Sequence, residues 1–134
     1  MSYPEGNPLQ QMQIPVRWGD QDALGHVNNI VYFQYFESVR LQWYETVLHE
    51  PLATGNTGMV IVDNHARYLK PVLYPALLTL YMAGHSPGRS SFQSTYALCI
   101  DDEVFTTGSS KVVWVDHRKG KSVPLPDPVR QLLT

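Results

Sequence analysis

The residues best able to do chemistry in this 134-residue chain lie at positions 17–40, RWGDQDALGHVNNIVYFQYFESVR. Two acids, Asp20 and Asp22, precede the turn-forming run Gly25-His26-Val27-Asn28-Asn29, which opens into a long stretch free of Gly and Pro. A carboxylate beside a helix N-terminus is a way to build a hydrolytic site. The acid acts on an electrophile or on water, while backbone N–H groups without helical partners hold the developing oxyanion. Asp22 can be read as nucleophile, as general base, or as a residue that caps the turn. Asp20 would share its face only if an extended strand ran on to Asp22. It is better suited to support the turn or pair with Arg17. Asn29 and its neighbours would supply backbone donors, and Asn28 and Asn29 are also ordinary turn residues. His26 reads equally as an orienting group or a structural turn histidine. Glu37 and Arg40, three apart on a helix, are expected to pair. The histidines at 26, 49, 65, 85 and 117 include no pair spaced three to five apart, and one cysteine cannot complete a thiolate set, so neither a metal nor a cofactor is expected.

These groups need a scaffold to hold them. Residues 11–18 alternate apolar and polar side chains as a half-buried strand does, and Pro15 puts that strand at or near a sheet edge. Residues 30–48 carry Ile30, Phe33, Phe36, Val39, Trp43 and Val47 at helical spacing. Tyr32, Tyr35, Leu41 and Tyr44 occupy the other faces, so this helix must be wrapped. Residues 49–58 read as loop. Strand-like runs follow at 59–69, 76–83, 91–100 and 104–115, with gaps too short for crossover helices, which favours antiparallel pairing. Asp127 followed by Pro128 predicts a short last helix, with Asp127 as N-cap and Pro128 in its first position. Residues 1–10 have no periodicity and are expected as a loose arm. The pattern gives one α+β domain over residues 11–134, a curved antiparallel sheet of about five strands around one long helix.

Composition narrows the class. The hydrophobic content of 43% suffices for a core, and a formal net charge of −2 leaves no basic footprint for nucleic acid. The first residues lack the charged start and apolar core of a signal peptide, and the longest apolar run is too short to span a bilayer. A soluble cytoplasmic protein with no membrane partner is expected. Cys99 lies in an apolar run and reads as a small buried hydrophobe.

The segment from Asp22 through Gly25-His26-Val27-Asn28-Asn29 to Tyr32, Tyr35, Phe36, Glu37 and Arg40 resembles the hotdog-fold acyl-CoA thioesterases of the 4-hydroxybenzoyl-CoA thioesterase family. The element order over residues 11–126 is similar too. The resemblance implies a thioester hydrolase that converts acyl-CoA and water to a carboxylic acid and CoA. Asp22 would be its catalytic aspartate, as nucleophile or general base, the Asn29 backbone N–H its oxyanion donor and His26 an auxiliary group. Tyr32, Arg89 and Ser91 would contact substrate or the CoA arm, while a second basic cluster, His117, Arg118, Lys119 and Lys121, reads rather as a solvated hairpin tip. Glu37 is the reserve acid, because another branch of hotdog thioesterases places its acid on this helix. A homodimer or homotetramer is implied, joined edge to edge. An acyl carrier protein thioesterase and a non-catalytic acyl-CoA-binding module are the alternatives; a hotdog dehydratase would need a differently presented His and acid.

Overall fold

The computed structural model describes residues 3–49 and 55–134. The order of elements is β1 (Asn7–Pro15), a 3-10 turn (Trp18–Asp20), α1 (Val31–Leu48), β2 (Thr57–Tyr68), β3 (Leu77–His85), β4 (Ser91–Ile100), β5 (Glu103–Asp116), β6 (Lys121–Ser122) and α2 (Asp127–Leu133). The long strands form one antiparallel sheet in the order β1-β3-β4-β5-β2, with short β6 paired to β5. This is the hotdog fold. β1, with Pro15, is an edge strand as expected, and β2 is the other edge.

α1 packs on one face of the sheet through aromatic residues at helical spacing. Phe36 stacks on Tyr96 with centroids 4.6 Å apart, Tyr44 on Trp114 at 5.8 Å, and Trp43 meets Phe92 edge-on at 5.6 Å. Each such buried ring is worth ~1.5–3 kcal/mol relative to exposure. Gly108 on β5 leaves the room this requires, since a Cβ there would collide with the Phe36 ring. The helix ends at His49, which turns left-handed at φ 55° while its N–H bonds the Glu45 carbonyl.

Several boundaries differ from expectation. α1 starts at Val31, and Ile30 is 63% exposed, because the buried face is rotated to take in Tyr32 and Tyr35. β1 begins at Asn7, inside the segment expected to be loose, and the chain before it also packs. Tyr3 lies edge-on to Tyr81 at 5.1 Å, and the Thr95 hydroxyl donates to the Glu5 carbonyl at 2.6 Å. Residues 1–2 of that arm, and 50–54 of the expected loop, lie outside the described residues. β2 begins at Thr57, and β6 is an additional strand. In α2 the N-cap is Pro126, so Asp127 opens the helix instead of capping it. Among the described residues no helix is long and apolar enough to cross a membrane.

Candidate active site

The loop between β1 and α1 is built by its own short-range hydrogen bonds. The Asp22 N–H donates to the His26 carbonyl at 2.8 Å, the Gly25 N–H returns to the Asp22 carbonyl at 3.1 Å, and Asp22 Oδ1 accepts the Leu24 N–H at 2.9 Å. Gly25 completes this turn at φ +80°, a conformation that favours glycine. Two longer ties fasten the loop down. The Val27 N–H donates to the Val72 carbonyl and the Asn28 N–H to the Asp20 carbonyl, each at 2.9 Å. The turn-capping role of Asp22 is therefore present, and it occupies one carboxylate oxygen.

Asp20 and Asp22 part company here. The 3-10 turn at residues 18–20 breaks the strand, so the two acids do not share a face. Asp20 is 3% exposed and accepts from the Tyr35 hydroxyl at 2.8 Å, the Arg17 N–H at 3.0 Å and Arg17 Nε at 3.1 Å. Burial opposes its ionisation, but the Arg17 N–H, the Tyr35 hydroxyl and the Arg17 guanidinium outweigh that and hold its carboxyl below the usual range. Burial, with the Asp20 carboxylate, pushes the Tyr35 phenol far above its ordinary value. Asp20 is thus a structural bracket between the end of β1 and α1, and its carbonyl also anchors Asn28.

Asp22 faces a depression of about 300 Å³ shared with His26, Asn29, Tyr32, Tyr68 and Lys70, with Val27, Leu69 and Pro71 as apolar lining. Asp22, His26, Asn29 and Tyr32 are thereby brought together. The first-turn amides are mostly used. Asn28 donates to Asp20, Ile30 to Asn28 Oδ1 at 3.3 Å, and Val31 to the Asn28 carbonyl at 2.9 Å. The Asn29 N–H has no acceptor among the described residues. Tyr32 accepts the Val72 N–H at 3.2 Å; burial raises its phenol pKa, and the Asp22 charge adds to that.

Other expected residues lie elsewhere. Glu37 is exposed on α1 beside a separate depression of about 470 Å³ lined also by Arg17 and Gln34. It does not pair with Arg40, which is 5% exposed and turns under the helix. Arg40 Nη1 donates to the Tyr96 hydroxyl at 3.0 Å and to Ser110 Oγ at 3.4 Å. The reason is rotational, since Arg40 falls on the face that Phe36 and Val39 carry into the core. Arg89 and Ser91 stand at the start of β4, whereas Leu98, in register with Thr106 beside Tyr68, is seven residues further on, ~23 Å along the strand. They do not line the Asp22 depression.

Tyr68 and Lys70 were not legible as site residues. Tyr68 ends β2 and donates its hydroxyl to the Asn29 carbonyl at 2.7 Å, while Lys70 pairs with Glu103 at the rim. An aromatic at a strand end before Leu-Lys-Pro carries no chemical signature, and only the sheet order brings it to the α1 N-terminus. Among the described residues, no group of three or more His, Cys, Asp and Glu is placed to hold a metal ion.

The model of the Thioesterase-like superfamily matches residues 16–133. A candidate thioesterase of Pseudomonas aeruginosa is similar in structure, with a TM-score of 0.88 and 38% identity over 92% of this chain and 97% of that one. A thioesterase of Thermus thermophilus, solved with coenzyme A and Zn, has a TM-score of 0.82 and 28% identity over 97% and 94% of the two chains. The uncharacterized YsmA protein of Bacillus subtilis (strain 168) is 29% identical over 122 residues, 90% of this chain and 82% of that protein.

Proposed function

The chain belongs to the thioesterase-like superfamily and is a thioester hydrolase; on that footing we propose that it hydrolyses acyl-CoA thioesters, with Asp22 as the nucleophilic or general-base carboxylate and the Asn29 N–H as oxyanion donor. The observation that carries this reading is the convergence of the Asp22 carboxylate and Asn29, whose N–H lacks an acceptor among the described residues, on one depression. A thioester carbonyl seated there would meet a carboxylate on one side and, on the other, a donor that needs no reorganisation when charge develops on oxygen. With Oδ1 committed to Leu24, Asp22 has Oδ2 left to attack the carbonyl as nucleophile or to take a proton from water. A single turnover in ¹⁸O-water identifies the nucleophilic route if label enters the enzyme's own carboxylate, which requires water to attack the Asp22 carbon of a mixed anhydride; general-base hydrolysis, like attack at the acyl carbon, labels only the product acid. His26 and Tyr32, on the same wall, would orient the acyl end.

The CoA arm gives Arg89 and Ser91 a role only from a second copy. β1 carries Pro8 and Pro15, which cannot donate from a strand edge, whereas β2 contains no Pro and presents exposed Val62. β2 is therefore the edge through which two chains would join. Ser91 is level with Val60 through Val113, so a two-fold axis near Asn64 of β2 would bring the other copy's Ser91 level with Tyr68 at the Asp22 site, three strand spacings away, ~14 Å. The proposed assembly is a homodimer of continuous sheet.

The test is multiple-turnover CoA release from short, medium, long and aromatic acyl-CoAs and an acyl carrier protein thioester, followed with a thiol reagent. Turnover on CoA thioesters is the expected result. Turnover confined to the carrier-protein substrate would replace the substrate class. Tight acyl-CoA binding with no turnover on any thioester would overturn the catalytic reading in favour of a binding module.

A further inference from the structure

The donor proposed at Asn29 is useful only if its direction is held, and a side chain from outside the loop bonds the carbonyl of the same residue. In a regular α-helix the Asn29 carbonyl would accept the N–H four residues on, from Phe33. Here the first turn is tighter. The Phe33 N–H goes to the Ile30 carbonyl at 3.3 Å and the Val31 N–H to the Asn28 carbonyl at 2.9 Å. The Asn29 carbonyl is left out of the helix, and the Tyr68 hydroxyl takes it at 2.7 Å.

Tyr68 is well fixed for this. It pairs in register with Thr106 on β5, and the two N–H groups that follow it, of Leu69 and Lys70, both donate to the Phe105 carbonyl, at 2.9 and 3.1 Å. Its ring stands edge-on to Tyr32 at 4.8 Å. Burial, with Tyr32 adding to it, pushes the Tyr68 phenol up, so it remains a donor at neutral pH. On the other side of the donor, the peptide joining Asn28 to Asn29 has its carbonyl tied to the Val31 N–H. A trans peptide sends its N–H the opposite way, so the Asn29 donor points away from Val31. That peptide is fastened at its carbonyl and Asn28 itself at its N–H, but rotation about Asn29 is restrained from the far side by Tyr68.

We infer that Tyr68 is a positioning residue, acting through the Asn29 carbonyl to aim the Asn29 N–H at the oxyanion. This rests on the proposed roles of Asp22 and Asn29. The oxyanion develops on the way to the tetrahedral intermediate and is absent from the bound substrate, so a loosened donor costs rate and spares binding. Tyr68→Phe keeps the ring and its contact with Tyr32 and removes only the hydroxyl.

The experiment measures kcat, KM and thermal midpoint for wild type, Tyr68→Phe and Asp22→Asn on one acyl-CoA, with affinity for a non-hydrolysable acyl-CoA thioether. Tyr68→Phe should lower kcat about five- to tenfold with KM and thioether affinity within about twofold, the effect of one neutral hydrogen bond expressed in the transition state. Tyr68 is 42% exposed, so the thermal midpoint should hardly move. An unchanged kcat, or a raised KM at unchanged kcat, would overturn the inference and leave Tyr68 as pocket wall. If Asp22→Asn retains turnover, the reading beneath it fails as well. If Asp22→Asn is inactive and Tyr68→Phe is unimpaired, the positioning role alone is lost.

Discussion

Asp22→Asn removes a charge and almost nothing else. The amide oxygen of Asn can still accept the Leu24 N–H that Oδ1 accepts at 2.9 Å, and both backbone bonds of the turn, to His26 and Gly25, are untouched. The folding cost should stay within about 1 kcal/mol, the worth of one surface hydrogen bond whose acceptor changes from charged to neutral. Turnover should collapse. General-base assistance alone contributes ~10²–10⁴-fold, and a nucleophilic carboxylate has no amide substitute, so the expected loss is at least about a thousandfold, ~4 kcal/mol of activation free energy. The assay is CoA release under multiple turnover with a thiol reagent. Cys99 is 1% exposed and burial pushes its thiol up, so it adds at most one slow equivalent per chain. A second readout is independent of catalysis. Burial is the larger cause of the raised Tyr32 pKa, but the Asp22 charge contributes, so Tyr32 should titrate lower in the variant, detectable as earlier tyrosinate absorbance. An Asp22→Asn variant working within about tenfold of wild type would refute the assignment. Unchanged Tyr32 titration would count against the proximity of the Asp22 charge.

Asp20→Asn should destabilise by about 1–3 kcal/mol at neutral pH, because a buried charge that accepts three hydrogen bonds is replaced. The folded pKa is depressed below 3.8, so the stabilisation is complete above that value and is lost as pH falls through the lower folded value. Denaturant melts in acid should show wild type losing its advantage over Asp20→Asn below about pH 4, and parallel curves there would count against the bracket. Gly108→Ala should cost ~1–3 kcal/mol by forcing the Phe36 ring off Tyr96, measured as a lower thermal midpoint; a neutral result would mean that the helix can lift freely from the sheet. Asn29→Ala retains the backbone N–H and should keep kcat within about tenfold, since only a side chain is removed, while a loss comparable to Asp22→Asn would make that side chain the donor instead.

What could be read from the sequence follows from periodicity and short-range chemistry. Alternation over residues 11–18, the Gly- and Pro-free run of residues 30–48 and four later strand-like runs were enough for an antiparallel sheet around one helix, because side-chain period reports directly which face is buried. The Asp22 to Asn29 turn was legible for the same reason. Its bonds, Asp22 to His26, Gly25 to Asp22 and Leu24 to Asp22, span four residues or fewer. The tertiary structure alone decided which of two acids two residues apart is buried, since that depends on a 3-10 turn and on Tyr35, fifteen residues away. It turned Arg40 away from Glu37, because helix rotation is set by aromatic packing against Tyr96 and Trp114 and not by charge spacing on the helix itself. It also brought Tyr68 to Asn29, a contact across 39 residues that exists only because β2 pairs with β5 at the sheet edge beside the α1 N-terminus. Local bonds are written in neighbouring residues. The groups that aim and brace the site are joined by the sheet, and sequence distance carries no information about that.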